Sequence, residues 1–170
     1  MTGLETERLL LRRLSYDDSE FIIELLNEPG FQRFIGDKKV RSRDDALEYL
    51  RKGPVGSYER HGFGMFLVLE KIHESPVGMC GLVKRDDFDA PDVGFAFLQK
   101  FWGNGYALES ATAVLEYGEK CLRLPRIIAM VDMENDASVR LVEKLGLIFE
   151  RMVRMPGESH DIKLFTTSFK

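Results

Sequence analysis

The sequence predicts a mixed domain of the α/β or α+β class, formed by all 170 residues as one unit. Three strand-like segments follow one another in the middle of the chain, and consecutive strands joined by short turns pair antiparallel. A strand–helix–strand crossover comes next, and it places two strands parallel in one sheet. Hydrophobic residues make up 44% of the chain, which is enough to bury a core.

The N-terminal part predicts one strand and two helices. RLLLRRL (8–14) is typical of a strand, and DDSEFIIELLNE (17–28) has apolar residues at helical spacing. An aspartate can cap that helix, and the pair Pro29-Gly30 is expected to end it. A second helix is predicted over 42–53, with Ser42 as its N-cap.

Three strands are predicted in the middle of the chain, and the last of them is asymmetric. The strands cover 63–70, 77–85 and 92–98. In the third, the bulky residues Val93, Phe95 and Phe97 alternate with Gly94 and Ala96. One face is therefore nearly bare, which suggests that something packs closely against that face or against its backbone.

The C-terminal part predicts two helices around a buried strand, followed by a hairpin. The helix over 106–122 has the clearest 3.6-residue apolar pattern in the chain. A buried strand is predicted over 126–132, and a helix over 135–146 with Asn135 as N-cap and Gly146 just past its end. Residues 148–155 and 161–169 are typical of a closing hairpin.

Composition excludes several classes of protein. A net charge of −4 argues against general nucleic-acid binding, which needs a large basic surface. No segment approaches the roughly 20 apolar residues of a membrane span, and the N-terminus does not have the pattern of a signal peptide. The two cysteines, Cys80 and Cys121, are distant in the sequence and form no C-x-x-C motif, which argues against a disulfide framework and against a zinc site. We therefore expect a cytoplasmic protein with no metal site and no membrane or nucleic-acid partner.

QKFWGNGYA (99–107) lies between the bare-faced strand and the clearest helix. A strand, a glycine-rich loop and a helix N-terminus together form an anion site, because the first helical N–H groups lack partners. The dinucleotide fingerprint is incomplete here, since its third glycine is absent, and no P-loop sequence occurs. Taken alone, the G-x-G pattern favours a plain strand-to-helix turn over a phosphate-binding loop.

The order of these segments resembles the GNAT superfamily of acyl-CoA-dependent N-acyltransferases, and within it the RimJ/RimL-type ribosomal-protein N-terminal acetyltransferases. The resemblance runs from about Thr6 to Phe169. It rests on TERLLLRRL (6–14), PVGMCGL (76–82), DVGFAF (92–97), FWGNGYALES (101–110) and ENDASVRLVEKLGL (134–147). Two positions depart from the pattern: Lys100 replaces a glutamine or arginine, and Leu147 replaces a phenylalanine.

The resemblance implies a GNAT-like fold whose mostly antiparallel sheet is split between strands 92–98 and 126–132. Acetyl-CoA, as cosubstrate, would lie in this split, with pantetheine on the strand backbone and the pyrophosphate on the N–H groups of the glycine loop. The implied binding residues are Phe95, Phe97, Leu98, Trp102, Gly103, Asn104, Gly105, Tyr106, Ala107, Asn135 and Ser138.

The catalytic residues implied for this chain are Ser138, Asp92 and Glu134. Ser138 matches the serine that faces the CoA sulfur in the family, although it can also simply support the Asn135 cap. Asp92 or Glu134 is the candidate general base, and each is also compatible with a solvated surface position. His61, His73 and His160 lack the spacing of metal ligands, and we expect no role for them.

The acceptor is left open by the sequence. Its site is expected between the two early helices and the 156–160 turn, near Phe31, Phe34, Phe63 and Phe88. A protein N-terminal α-amine, with a pKa of about 8, is roughly one-tenth neutral at pH 7 and needs less help from a base than a lysine does. We expect the acceptor to be a protein N-terminus or a small-molecule amine. We expect the protein itself to be a monomer or a homodimer. The alternatives are a CoA-binding sensor or interaction module without catalysis and, more remotely, a Rossmann-type nucleotide-binding protein.

Overall fold

The computed structural model describes residues 3–169, so Met1, Thr2 and Lys170 lie outside the described residues. It contains one eight-stranded sheet with helices on both faces. The strands are β1 Gly3–Glu5, β2 Leu9–Arg13, β3 Met65–Glu70, β4 Ser75–Val83, β5 Asp92–Phe97, β6 Ile128–Asp132, β7 Ile148–Val153 and β8 Ile162–Thr166. The α-helices are α1 Ser19–Leu26, α2 Pro29–Phe34, α3 Arg43–Leu50, α4 Gly56–His61, α5 Tyr106–Lys120 and α6 Asp136–Lys144.

The strands lie in the order β1-β2-β3-β4-β5-β6-β8-β7. Neighbouring strands pair antiparallel, with β5 and β6 as the parallel exception. The last strand, β8, lies between β6 and β7 and pairs with both. The predicted mixed fold, its mostly antiparallel sheet and its closing hairpin are therefore confirmed.

Helix α1 ends at Leu26, shortly before Pro29-Gly30 as predicted, but Pro29 then begins the short helix α2, which was not predicted. Proline is tolerated in the first turn of a helix, where its missing N–H would lack a partner in any case. The strand β1 was also missed, since three residues carry too little periodicity to be recognised. Both elements lie in the part of the chain that precedes the central strands.

The predicted helix over 42–53 corresponds to α3, which ends at Leu50. A wider helical turn over Arg51–Val55 then connects α3 to α4. Gly53 has non-helical backbone angles there (φ −87°, ψ −105°), which separates the two helices. Pro54 follows Gly53, and its missing N–H also interrupts the helical hydrogen bonds. The Ser42 N-cap is confirmed, since its side chain accepts from the Asp45 N–H.

The two faces of β5 pack differently, as its alternation predicted. Val93, Phe95 and Phe97 belong to the core that β5 shares with α5. Ala96 lies on the other face, toward the core formed with α1 and α3. A Cβ on Gly94 would lie 3.6 Å from the Met65 sulfur, an ordinary van der Waals contact, so Met65 packs against this face and leaves room only for a small residue.

The sheet is split between β5 and β6. The two strands meet at the pair Asp92 and Ile128, where the Ile128 N–H donates to the Pro91 carbonyl at 2.9 Å. Beyond that pair, β5 leads into a 3-10 turn over Gln99–Phe101 and then α5, whereas β6 leads into α6. The pair Asp92–Ile128 is thus the vertex of a V whose arms end at two helix N-termini.

Candidate functional site

A groove of about 640 Å³ occupies the split. It is lined by the open parts of β5 and β6, by the glycine loop and the start of α5, by the start of α6, and by α2. The three candidate catalytic residues line it, and so do all of the predicted binding residues except Leu98 and Asn104. The structure therefore brings together segments that are up to about a hundred positions apart in the sequence.

The backbone of β5 presents free polar groups to this groove. The Leu98 N–H donates to the Val77 carbonyl at 3.0 Å, on the β4 side. Because the N–H and C=O groups of successive residues alternate between the two edges of a strand, those of Phe95 and Phe97 point toward the split. One of these groups, the Phe97 carbonyl, already accepts a hydrogen bond from the Trp102 Nε1–H at 2.8 Å. An extended ligand can pair with the Phe95 N–H and C=O and with the Phe97 N–H.

The same alternation corrects the prediction for Leu98. Its N–H is committed to β4, and its side chain is only 2% exposed in the core beneath α1 and α3. Leu98 therefore closes the strand and does not face the groove.

The glycine loop ends at a helix N-terminus without a side-chain cap. Gly103 and Gly105 have φ values of 83° and 79°, in the left-handed region that favours glycine. Gly105 is the N-cap of α5, so no side-chain oxygen occupies the N–H groups of the first turn. These groups are free to bind an anion, which the helix dipole also favours.

Two polar side chains of the loop, those of Lys100 and Asn104, contact Phe101. The Asn104 Nδ2 donates to the Phe101 carbonyl at 2.9 Å, and its side chain does not line the groove. The Lys100 ammonium lies 5.4 Å from the centre of the Phe101 ring. An anion bound here would thus be held by the backbone of the loop.

A latch that sequence reasoning missed ties the N-terminal segment to the start of α5; it consists of Thr6, Arg8 and Glu109. The Thr6 hydroxyl donates to Glu109 Oε1 at 2.6 Å, and the Arg8 N–H donates to the same oxygen at 2.8 Å. The Arg8 guanidinium pairs with Glu109 Oε2 at 2.7 Å and lies 4.8 Å from the Tyr106 ring centre. These residues are separated by about a hundred positions, so no local pattern joins them.

The start of α6 forms the second arm of the groove. The Asn135 side chain accepts from the Ser138 N–H at 3.2 Å, which confirms the predicted N-cap. Asn135 and Ser138 both line the groove. Among the described residues, the Ser138 hydroxyl forms no hydrogen bond, so it remains able to donate to a ligand atom.

Asp92 lies at the vertex of the split and is 6% exposed. Its carboxylate accepts from the Arg85 Nε–H and from the Met130 N–H, each at 3.4 Å. Burial raises the pKa of Asp92 to about 6, although the Arg85 charge opposes the change. Near neutral pH this carboxyl is mostly ionised yet weakly hydrated, which is the state of a useful general base.

Three further carboxylates line the open end of the groove: Asp132, Glu134 and Asp136. Glu134 is exposed, and no hydrogen bond from its side chain joins it to another described residue. Asp132 accepts from the Glu134 N–H at 2.8 Å, and its other oxygen lies 3.2 Å from His160 Nε2. The sequence prediction gave His160 no role, and the spacing of 28 positions offered no signal for this pair.

The aromatic residues expected near the acceptor divide between the groove and the cores. Phe31 and Phe34 line the groove together with Ile35 and Arg85. Phe63 packs instead against the core beside α5, and Phe88 packs against a small core beside β6 and β8. The groove therefore has an apolar wall on α2 and a charged end at the vertex.

Residues 3–169 contain no group of three or more His, Cys, Asp or Glu side chains that could hold a metal ion. Within the same range, no helix is both long and apolar enough to cross a membrane.

Comparisons with known proteins agree with this geometry. The family profile described as the acetyltransferase (GNAT) domain matches residues 8–148. The uncharacterized N-acetyltransferase YoaA of Bacillus subtilis (strain 168) is 28% identical over 153 residues, which cover 89% of this chain and 85% of YoaA. The crystal structure of a GNAT-family acetyltransferase from Bacillus anthracis is 27% identical, has a TM-score of 0.79, and covers 96% of each chain. RimL, an alpha-N-protein acetyltransferase solved in complex with coenzyme A, shares the fold with a TM-score of 0.82 at 16% identity and 96% coverage of each chain.

Proposed function

Because the chain belongs to the GNAT acetyltransferase family, we propose that it transfers the acetyl group of acetyl-CoA to a primary amine by direct attack on the thioester. The acceptor is a protein N-terminal α-amine or a small-molecule amine. GNAT acetyltransferases use acetyl-CoA, and the chain is an acetyltransferase by its family and its relatives.

One observation carries the proposal: the split between β5 and β6 opens onto the uncapped start of α5. Pantetheine is a chain of amides, and the Phe95 and Phe97 backbone groups offer it the hydrogen bonds of an additional strand. A diphosphate carries charge that the free N–H groups after Gly105 can bind. The residues present thus fit both halves of CoA.

The side chains that line the groove suggest which residue acts in each step of catalysis. Asp92 accepts a proton from the attacking amine, directly or through water. The Ser138 hydroxyl donates toward the sulfur as the C–S bond breaks and the C–N bond forms. Glu134 is the alternative base, at the open end of the groove. We assign the bases in this order because Asp92 is buried at the vertex and Glu134 is exposed.

We further propose that the chain belongs to the RimJ/RimL-type branch and that residues 1–170 form one N-acetyltransferase domain, acting in the cytoplasm as a monomer or homodimer. The branch assignment is supported by the latch, which unites two segments that carry the resemblance, TERL at 6–9 and GYALES at 105–110.

Intact-mass spectrometry of an amine and peptide panel, incubated with purified protein and acetyl-CoA, tests the function. We expect a gain of one acetyl group on at least one primary amine, with stoichiometric release of CoA thiol. Thermal unfolding with CoA is measured in parallel. Strong stabilisation by CoA without transfer to any amine would favour a CoA-binding sensor, and stabilisation by a nicotinamide dinucleotide instead of CoA would refute the CoA site.

A further inference from the structure

The charged end of the groove contains a guanidinium that is largely unused. Arg85 is in the loop between β4 and β5, its side chain is 42% exposed, and it lines the groove beside Asp92. A guanidinium offers five N–H donors, but Arg85 uses only Nε, in a long contact of 3.4 Å with Asp92. Among the described residues, its remaining donors form no hydrogen bond.

A second positive charge lies near Arg85. Lys38 follows α2, and although the residue as a whole is exposed, partial burial of its ammonium lowers its pKa. The Arg85 charge lowers that pKa further, and this effect exceeds the opposing effect of Glu158. The two positive charges therefore repel each other, and an anion bound to Arg85 would reduce this repulsion.

Acidic residues lie at the other end of β6. Asp132, Glu134 and Asp136 line the groove there, about 13 Å from the vertex at the rise of an extended strand. An amine that reaches Asp92 lies beside Arg85, so a negative charge close to the amine nitrogen is favoured there and a second positive charge close to it is not. The vertex is thus favourable for an amine that carries an anion next to its nitrogen.

We infer that the acceptor is a small primary amine with a carboxylate next to the amine and an apolar side chain, as in an apolar α-amino acid, and that Arg85 binds the carboxylate. An α-amino acid has its nitrogen and carboxylate on one carbon, and the site has the base Asp92 and the Arg85 guanidinium in contact. Planar guanidinium and carboxylate groups match through paired hydrogen bonds. Phe31, Phe34 and Ile35 supply the apolar wall for the side chain.

This inference rests on the proposed acetyltransferase function and names its substrate class. It also assigns separate tasks to two adjacent residues, since Asp92 removes a proton and Arg85 determines specificity.

The test compares L-phenylalanine with L-phenylalaninamide and phenethylamine, using purified full-length protein and measuring kcat/KM from CoA thiol release. L-Leucine, its amide and 3-methylbutylamine form a second set. We expect the free amino acids to exceed their analogues without a carboxylate at least tenfold in kcat/KM, although the amides have more neutral amine at pH 7. The amides also represent a peptide N-terminus, so the same comparison separates a small acid from a protein acceptor.

Two variants determine whether Arg85 is responsible. Arg85→Gln should reduce the preference for the carboxylate to less than threefold, and Arg85→Lys should restore part of it as a point charge. Arg43→Gln removes an exposed charge outside the groove and should leave the preference unchanged.

Acetylation without dependence on the carboxylate, or a preference for the amides or for spermidine, overturns this inference and leaves the acetyltransferase function standing. A failure to acetylate any amine overturns both. Preference for the amino acids that survives in Arg85→Gln overturns the assignment of Arg85.

Discussion

The Asp92 carboxylate is buried, contacts an arginine, and lies where the strands β5 and β6 diverge. A solvated carboxylate at the start of a strand would titrate near its usual pKa, whereas burial raises the pKa of Asp92 to about 6. The sequence placed an acid at this point but left its environment open, because burial depends on Arg85 and Met130, which approach from other segments. The environment, more than the residue type, is what distinguishes Asp92 from Glu134.

The pH dependence of catalysis tests this role for Asp92. At saturating acetyl-CoA, kcat/KM for the acceptor should show an acid limb below pH about 6 that is steeper than protonation of the amine alone produces, because protonated Asp92 cannot accept a proton. Asp92→Asn should lower kcat/KM by about 100-fold to 10,000-fold and remove this limb. Glu134→Gln is the matched variant, and retention of the limb in Asp92→Asn with its loss in Glu134→Gln would reverse the assignment.

The same group predicts a change in stability with pH. A carboxyl whose pKa is raised on folding stabilises the fold below its unfolded pKa, near 4, and this contribution is lost as pH rises through about 6. Relative to Asp92→Asn, the wild-type protein should therefore lose up to about 3 kcal/mol of unfolding free energy between pH 4 and pH 7. Urea unfolding of both proteins at the two pH values measures this difference, and parallel curves would contradict the burial of an ionisable group.

Gly103 allows the loop to be tested separately from the fold. A valine at this position should reduce acetyl-CoA affinity at least tenfold, because it resists a φ of 83° and its branched side chain would stand over the loop N–H groups. Gly146→Val is the matched control: Gly146 has a φ of 89°, a Cβ on either glycine would meet nothing within 4 Å, and Gly146 lies outside the groove. Calorimetric titration with acetyl-CoA should separate the two variants even where their unfolding free energies agree.

At the scale of elements, the clearest helices and strands could be predicted because their periodic patterns are local. Helices α5 and α6, strands β2 to β6 and the Asn135 cap follow from such patterns. The elements that were missed, such as α2 and α4, depend on turns in which proline and glycine do not terminate the helical segment but redirect it. In the site, the loop and the α6 start were predictable as motifs, whereas the His160–Asp132 pair and the latch arise from contacts between distant segments. Arg85 lies in the loop just before Asp92, where no motif predicts the course of the chain.

The latch gives the N-terminal segment a role in positioning the phosphate loop. Glu109 places a negative charge in the first turn of α5, close to where the pyrophosphate would bind, and Arg8 neutralises it. The Arg8 guanidinium also lies beside the loop, since a Cβ on Gly105 would be 3.3 Å from it. Thr6 and Arg8 therefore fix the helix start and keep its electrostatic potential favourable for an anion.

Arg8→Gln should therefore weaken acetyl-CoA binding about threefold to tenfold, with kcat at saturation nearly unchanged. Arg13→Gln is a close control, because Arg13 lies 4.6 Å from the Tyr58 ring much as Arg8 lies over Tyr106, but at the other end of β2. A loss of affinity that is equal in both variants, or a loss confined to kcat, would count against the latch. KM for acetyl-CoA and kcat, measured separately, provide the readout.

At the scale of the whole molecule, the split divides the sheet into two parts, β1 to β5 and β6 to β8, that meet in register at Asp92 and Ile128. A weakly joined sheet would ordinarily cost stability, since backbone groups along β5 and β6 lose their strand partners. In the proposed function those groups bind acetyl-CoA, because a bound pantetheine chain would take the place of the missing pairs. The split is thus a structural weakness that acetyl-CoA binding would compensate.

Hydrogen exchange can show this compensation residue by residue. The Phe95 and Phe97 N–H groups face the split and should exchange rapidly in the free protein, then slow at least tenfold with CoA bound. The Leu98 N–H, which already donates to Val77, should be protected in both states. Because the ligand would join the two parts of the sheet, the slowest amides of β4 and β8 should also gain equal protection, set by global stabilisation. Protection that rises in β4 but not in β8 would indicate that CoA binds one arm of the V alone and does not bridge the split.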